Sequence, residues 1–182
     1  FDVPITARGG GTSQAGQAIG PGVILDSSKY FHEILAIDPG SRAARVRPGC
    51  VLDDLNRALK PHGLKFAPDI STADRATIGG MIANNSSGTR SVVYGKTLDY
   101  VETLTVLLSD GSVVELGPQD VHQFEEKCGQ SNLEGNCYRT VRRLAQHHAA
   151  EIERRYPRIL RRVGGYNLDE FVPGREPFNL SR

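Results

Sequence analysis

The 182-residue sequence predicts a globular fold that mixes short strands with helices. Three observations carry that reading. Short apolar runs bounded by glycine, proline and serine recur through residues 1–50, the mark of brief strands in a small mixed sheet. From position 51 the apolar spacing changes to three and four residues, which is one face of a helix. Further on, two β-rich runs at 103–108 and 112–116 are joined by Asp110-Gly111, a strong hairpin signal.

Composition narrows the class. Hydrophobic residues at 38% and charged residues at 24% describe a soluble globular chain. A net charge of +1 argues against a general polyanion binder, so nucleic acid is not an expected partner. No stretch approaches the roughly 20 apolar residues of a membrane span, and no signal-peptide pattern is present. Cys50, Cys128 and Cys137 have no paired spacing, which reads as a reducing, cytoplasmic setting without a disulfide framework. The C-x₂₋₄-C spacing of structural zinc is missing around Cys128, Cys137 and His122, so no metal is expected.

Taken in order, Pro4-Ile5-Thr6-Ala7 is a short apolar strand that runs into Arg8-Gly9-Gly10-Gly11-Thr12-Ser13. Three glycines free the backbone to take positive φ and to aim several N–H groups at one point, an anion-binding nest. Arg8 adds a planar fork of donors, and the Thr12 and Ser13 hydroxyls add short ones, which suits a phosphate or pyrophosphate; an ordinary loop is the alternative. The dinucleotide pattern G-x-G-x-x-G fails because Gln14 stands at its third glycine. The P-loop fails because Gln17 and Ala18 stand where Lys and Ser or Thr are required.

Gly22-Val23-Ile24-Leu25-Asp26 reads as a buried strand, 34–40 as strand and turn, and 44–49 as a further strand ending at Pro48-Gly49. Leu52, Leu55, Ala58 and Leu59 then line one helix face over 51–62, with Asp53 and Asp54 in its first turn, Lys60 in its last and Gly63 as its terminator. Thr77 is placed to cap a short helix beginning Ile78-Gly79-Gly80. Glycines inside a helix cost about 1 kcal/mol each. Either a flat ligand approaching the backbone or tight packing against a strand explains them. Segments 119–128 and 133–155 read as helices, the second carrying an arginine-rich face that is solvated or turned toward an anionic substrate or partner domain.

The run Arg8 to Ser13 resembles the pyrophosphate loop of the FAD-linked oxidases with a PCMH-type (vanillyl-alcohol-oxidase-like) flavin domain. The Ile-Gly-Gly helix start, the Asn84-Asn85-Ser86-Ser87-Gly88 stretch and Tyr94-Gly95 resemble that family's flavin-contacting loops in order and spacing. Val106-Leu107-Leu108-Ser109-Asp110-Gly111 is similar to its V-x-L-A-D-G hairpin. Within the family the set looks most like the D-lactate, glycolate and other 2-hydroxy-acid dehydrogenases. The resemblance implies an α+β FAD-binding domain of two α+β subdomains, one small and mostly parallel, one larger and antiparallel, with FAD between them. Residues 1–100 would carry the pyrophosphate and flavin loops, and 101–182 would open the second subdomain. Arg8, Gly9, Gly10, Gly11, Thr12 and Ser13 would hold the pyrophosphate. Pro68, Asp69, Ser71, Thr77, Ile78, Gly79, Gly80, Asn84, Ser87, Gly88, Tyr94 and Gly95 would line the isoalloxazine and ribityl parts.

Some members tether FAD to a His or Cys in the first loop; here Gly10, Gly11 and Thr12 stand there, so non-covalent FAD is expected. The flavin would carry the hydride chemistry, with a small hydroxy acid as substrate and an electron acceptor that the sequence does not identify. His32, His62, His122, His147 and His148 all lie outside the matched loops, leaving no catalytic base in view. The chain opens at Phe1, just before the cofactor loop, and its last residues resemble the approach to a second flavin loop. It therefore reads as a domain truncated at both ends and inactive alone, with any membrane association carried by parts outside it. A non-catalytic ligand-binding module and a cell-wall-precursor reductase of the same flavin fold stand as alternatives.

Overall fold

The structure is a computed structural model and describes residues 2–159, 166–175 and 177–182. The chain divides into two units, Phe1–Tyr100 and Val101–Arg182.

The first unit opens with β1 (Ile5–Arg8) and β2 (Val23–Asp26), a parallel pair in register Ile5↔Val23 through Arg8↔Asp26. The glycine-rich segment belongs to the long crossover that parallel neighbours require. β3 (Ile34–Asp38) and β4 (Ala43–Val46) pair antiparallel. Their turn is held by the Asp38 carboxylate, which accepts the Gly40 N–H at 2.9 Å and the Ser41 hydroxyl at 2.6 Å. α1 (Leu52–Leu59) buries Leu52, Leu55 and Leu59, as its spacing requires, and a 3-10 turn at Lys60–His62 leads into Gly63 at φ 68°. No side chain caps α1. Its leading N–H groups are satisfied instead by main-chain carbonyls, Leu52 to Ala76 and Asp53 to Ala73, each at 3.0 Å. That exchange ties the helix to the segment before α2 (Ile78–Ala83). Cys50, Leu52, Leu55, Leu59, Ala76, Ile78 and Met81 form the core, with Ile34, Ile37, Val46, Phe66 and Ile70 packed on it. The short α3 (Ser91–Tyr94) follows.

One expectation is corrected here. The apolar run predicts a buried strand at Val23, Ile24 and Leu25, yet they are 48%, 40% and 51% exposed. A continuous apolar run shows only that both faces of a strand want cover; burial depends on what packs there, and β2 has β1 beside it without a layer over it among the described residues.

The second unit begins with β5 (Leu104–Leu107) and β6 (Val113–Leu116), antiparallel, with Gly111 at φ 86° in the turn. Leu104↔Leu116 and Val106↔Val114 put four apolar side chains on one face. The two-residue β7 (Pro118–Gln119) pairs with the equally short β8 (Phe178–Asn179), which closes the unit. α4 (Val121–Gly129) starts at a capping box in which Asp120 and Gln123 bond one another's backbone. The single helix expected over 133–155 is two helices, α5 (Leu133–His147) and α6 (Ala149–Arg155). At His148 ψ is 16°, well away from the α-helical value of about −42°, while its N–H still reaches the Leu144 carbonyl at 3.0 Å. Phe124, Tyr138, Phe171 and Phe178 stack into an aromatic core.

The arginine-rich face is largely an internal network. Arg139 donates to the carbonyls of Cys128 and Gln130, both at 2.5 Å, closing the end of α4. Arg142 pairs with Glu125 at 2.8 Å and lies over Phe124, and Arg154 and Arg155 both pair with Glu151. Arg161, Arg162 and the Gly164-Gly165 stretch, read as the approach to a second flavin loop, lie outside the described residues.

Candidate functional site

Three sequence segments are joined by close backbone contacts in the first unit, the first to the second and the second to the third. Arg8 ends β1 and is half-buried; Gly9, Gly10 and Gly11 follow directly. Gly11 sits at φ 65°, the one left-handed residue of the three. Gly9 and Gly10 are there for closeness instead. A Cβ on Gly9 would run into the Thr77 hydroxyl, and one on Gly10 into the Arg75 carbonyl. The glycine loop thus lies directly on the start of α2. A second contact of this kind joins the later segments, since a Cβ on the buried Gly88 would overlap the Asp69 carbonyl and approach its carboxylate.

The Arg8 guanidinium curls over Gly11, where an added Cβ would come within 2.9 Å of Nη2. Its Nε is buried without a hydrogen-bond partner. The carboxylate of Asp26 lies 4.0 Å away, an ion pair too long to satisfy that donor. Asp26 is itself engaged, accepting the Ser28 N–H and hydroxyl, and these bonds hold its carboxyl below the usual range. A buried, unspent cationic donor beside a left-handed glycine fits a phosphate-bearing ligand. Of the hydroxyls read as further donors, Thr12 is half-buried, and Ser13 donates to Gln17 Oε1 at 2.5 Å.

In the second segment Pro68 is buried and Ser71 is exposed in the following turn. Thr77 caps α2 by accepting the Gly80 N–H at 3.3 Å, as its sequence position predicts. Ile78 is a core residue, and its N–H goes to Cys50. Gly79 donates to the Pro48 carbonyl at 2.8 Å, and a Cβ there would lie 2.6 Å from Pro48 Cβ. Tight packing therefore explains Gly79. Gly80 is different: it is exposed, and the nearest atom to an added Cβ is the Thr77 hydroxyl at 3.2 Å. The two explanations left open by the sequence divide between adjacent residues.

The third segment is a closed loop. Asn85 holds φ 43°, unusual for a residue with a side chain, and its Oδ1 accepts the Leu98 N–H at 3.0 Å. Its Nδ2 is buried without a partner. The neighbouring Asn84 is exposed and reaches Ser86 Oγ at 3.3 Å. The Ser86 carbonyl accepts both the N–H and the hydroxyl of the buried Thr97, at 3.0 and 2.7 Å. Ser87 is half-buried. At the far end Gly95 has φ 71°, Asp99 accepts the Lys96 N–H at 2.7 Å, and the Tyr100 hydroxyl donates to the Tyr94 carbonyl at 2.6 Å. Tyr94 and Gly95 are thus tied to 99–100; the structure does not place them against the first loop.

Asn85 lies within the expected flavin-lining stretch, whereas Arg90, Thr97 and Asp99 hold that stretch in place without being expected there. Asn85 had a signal, because Asn is the residue that tolerates left-handed φ when glycine is absent. Thr97 and Arg90 work through partners 11 and 21 residues away, Ser86 and Asp69, which no local pattern announces. The described residues contain no group of three His, Cys, Asp or Glu arranged to hold a metal, and no helix among them is long and apolar enough to cross a membrane.

This arrangement is that of a flavin-binding fold. The chain matches the FAD binding domain family over residues 1–117 and belongs to that family, so FAD is its cofactor. It is 41% identical over 179 residues to D-2-hydroxyglutarate dehydrogenase of Pseudomonas putida, covering 98% of this chain and 18% of that protein. The Escherichia coli D-2-hydroxyglutarate dehydrogenase is 40% identical over 179 residues, covering 97% and 18%. Glycolate oxidase subunit GlcD of Bacillus subtilis is 40% identical over 116 residues, covering 63% and 25%. The chain thus spans less than a fifth of the length of these two dehydrogenases. Among solved structures, 6-hydroxy-D-nicotine oxidase of Arthrobacter nicotinovorans superposes with a TM-score of 0.55 at 24% identity, over 62% of this chain and 24% of that one. Alkyldihydroxyacetonephosphate synthase superposes at 0.57 and 24% identity, over 63% and 23%. These neighbours share the fold. The resemblance read from the glycine loop, the Ile-Gly-Gly segment and Tyr94-Gly95 is borne out at the level of family, fold and cofactor.

Proposed function

We propose that this chain is the FAD-holding part of a flavin-dependent dehydrogenase that oxidises a small 2-hydroxy acid, with D-2-hydroxyglutarate the first candidate and D-lactate and glycolate next. The observation that carries the assignment is the packing of the Arg8 loop on the start of α2 and of Gly88 on Asp69, with two buried unspent donors, Arg8 Nε and Asn85 Nδ2, facing no protein partner. Arg8 and the Gly9–Gly11 backbone hold the pyrophosphate, assisted by Thr12 and Ser13. Pro68, Asp69, Ser71, Thr77, Ile78, Gly79 and Gly80 form one wall for the ribityl and isoalloxazine parts. Asn84, Ser87, Gly88, Tyr94 and Gly95 form another. Within that set Gly80 supplies open backbone, while Ile78 and Gly79 act from behind by fixing α2 to the core.

FAD, once bound, supplies the hydride-accepting chemistry. No side chain in the glycine loop offers the imidazole or thiolate of a covalent tether, which supports non-covalent binding. Choice among hydroxy acids, the proton-accepting group and the electron acceptor fall to the rest of the protein.

The test is to purify the full-length protein carrying this chain and record its visible spectrum, then add hydroxy acids without oxygen. Bleaching of the flavin band by D-2-hydroxyglutarate, and not by NADPH, supports the dehydrogenase. Bleaching by NADPH alone points to a reductase of the same fold, and failure to retain or reconstitute flavin removes the oxidoreductase reading.

A further inference from the structure

We propose that Asp69 and Arg90 form a pin between two flavin-lining segments, and that Arg90 is a positioning residue for FAD. The inference rests on the reading that 68–80 and 84–95 line the cofactor. Both oxygens of the Asp69 carboxylate are committed to one residue: Oδ1 accepts the Arg90 main-chain N–H at 3.1 Å and Oδ2 accepts Nε at 2.7 Å. Such a two-point, charge-assisted attachment fixes orientation as well as distance. Arg90 stands two residues after Gly88, whose missing Cβ lets the main chain lie against the Asp69 carbonyl. The pin therefore clamps two backbones that already touch.

The remainder of the loop shows why a pin is needed there. Its base is closed by Asn85 and Ser86 bonding to Leu98 and Thr97, and its end by Tyr100 on the Tyr94 carbonyl. Between these ties α3 has little apolar anchorage, since Val92 and Val93 are each 76% exposed. Base and end are fastened to 97–100; Asp69–Arg90 fastens the loop to the wall that opens with Pro68. A carboxylate with both oxygens bonded to Arg90 acts on the cofactor through the position of Arg90 and Gly88, without needing to touch the flavin. The family resemblance implies a lining role for Asp69, and this geometry makes it a positioning residue as well.

The experiment uses the full-length protein carrying this chain, with Arg90→Ala, Arg90→Lys, Asp69→Asn and the Asp69→Asn/Arg90→Ala double variant. Apoprotein of each is titrated with FAD by fluorescence, and the visible spectrum of bound flavin is recorded. Arg90→Ala and Asp69→Asn should each raise the FAD Kd by about tenfold, equivalent to about 1.4 kcal/mol. The double variant should be no weaker than the worse single one, as for two members of one contact. Arg90→Lys, which keeps the charge, should recover part of the affinity. With the protein saturated with FAD and its far-UV circular dichroism equal to the parent's, the bound-flavin band in Arg90→Ala should move toward that of free FAD, a change that loss of stability alone does not produce in folded, saturated protein. An FAD Kd in Arg90→Ala within twofold of the parent, or single effects that multiply in the double variant, overturns the pin. If Arg90→Ala fails to fold, Arg90→Lys and Asp69→Asn carry the same comparison. Gly80→Val separates this failure from failure of the site itself: when it abolishes FAD binding and Arg90→Ala does not, only the pin falls, and when neither matters the segments are not the site.

Discussion

Gly79 and Gly80 show how far the role of a residue is set by what stands next to it. A methyl on Gly79 meets Pro48 at 2.6 Å, whereas one on Gly80 meets a single hydroxyl that has only to yield by a few tenths of an ångström. We expect Gly79→Ala to lower stability by about 1–3 kcal/mol through overpacking, read as a drop in the denaturant midpoint. Gly80→Val should abolish FAD binding in the full-length protein while far-UV circular dichroism stays close to the parent's; equal loss of fold and flavin would assign Gly80 to packing too. Thr77 bridges both effects, because its buried hydroxyl caps α2 and lies against Gly9. Thr77→Val keeps the shape and removes the acceptor, so a loss of about 1 kcal/mol is expected by urea titration. Cys50, by contrast, is inert: burial, aided by the negative charge of Asp54, pushes its thiol up to about 11.

At the scale of elements, two turns depend on aspartates and α1 on leucines. Asp38 and Asp110 each accept bonds from the N–H and hydroxyl of a serine in their own turn, which holds both carboxyls below the usual value of about 3.9. A lowered folded-state pKa means stability that is complete above the unfolded value and is lost as pH falls through the folded one. The denaturant midpoint should therefore decline below about pH 4, and Asp38→Asn with Asp110→Asn should flatten that decline. An unchanged acid limb in the double variant would remove these turns as its cause. In α1, Leu55 is buried in the core, and Leu55→Ala should cost about 2–5 kcal/mol in equilibrium unfolding. The α1 spacing, the Thr77 cap and the Asp110-Gly111 turn were legible because each depends on neighbours within four residues. The break at His148 was not, since no glycine or proline marks it.

For the molecule as a whole, β2 and the Val92-Val93 surface leave apolar area exposed in a chain that spans 18% of its dehydrogenase relatives. Losing on the order of 100 Å² of apolar contact with the flavin costs about 2.5 kcal/mol, nearly two decades in affinity. Isothermal titration should accordingly find FAD bound about a hundredfold more weakly by the 182-residue chain than by the full-length protein; equal affinities would show that this chain already supplies the whole site. The amino-acid order alone determined the family, the cofactor, the glycine loop, α1, the cap of α2 and the hairpin, because each is written in local spacing or in a run of adjacent residues. Only the tertiary structure decided that β2 is exposed, that Gly79 is a packing residue while Gly80 is open, and that Asp69 is joined to Arg90. Those outcomes depend on which surfaces meet across tens of residues, and a one-dimensional pattern records what a side chain needs without recording which neighbour provides it.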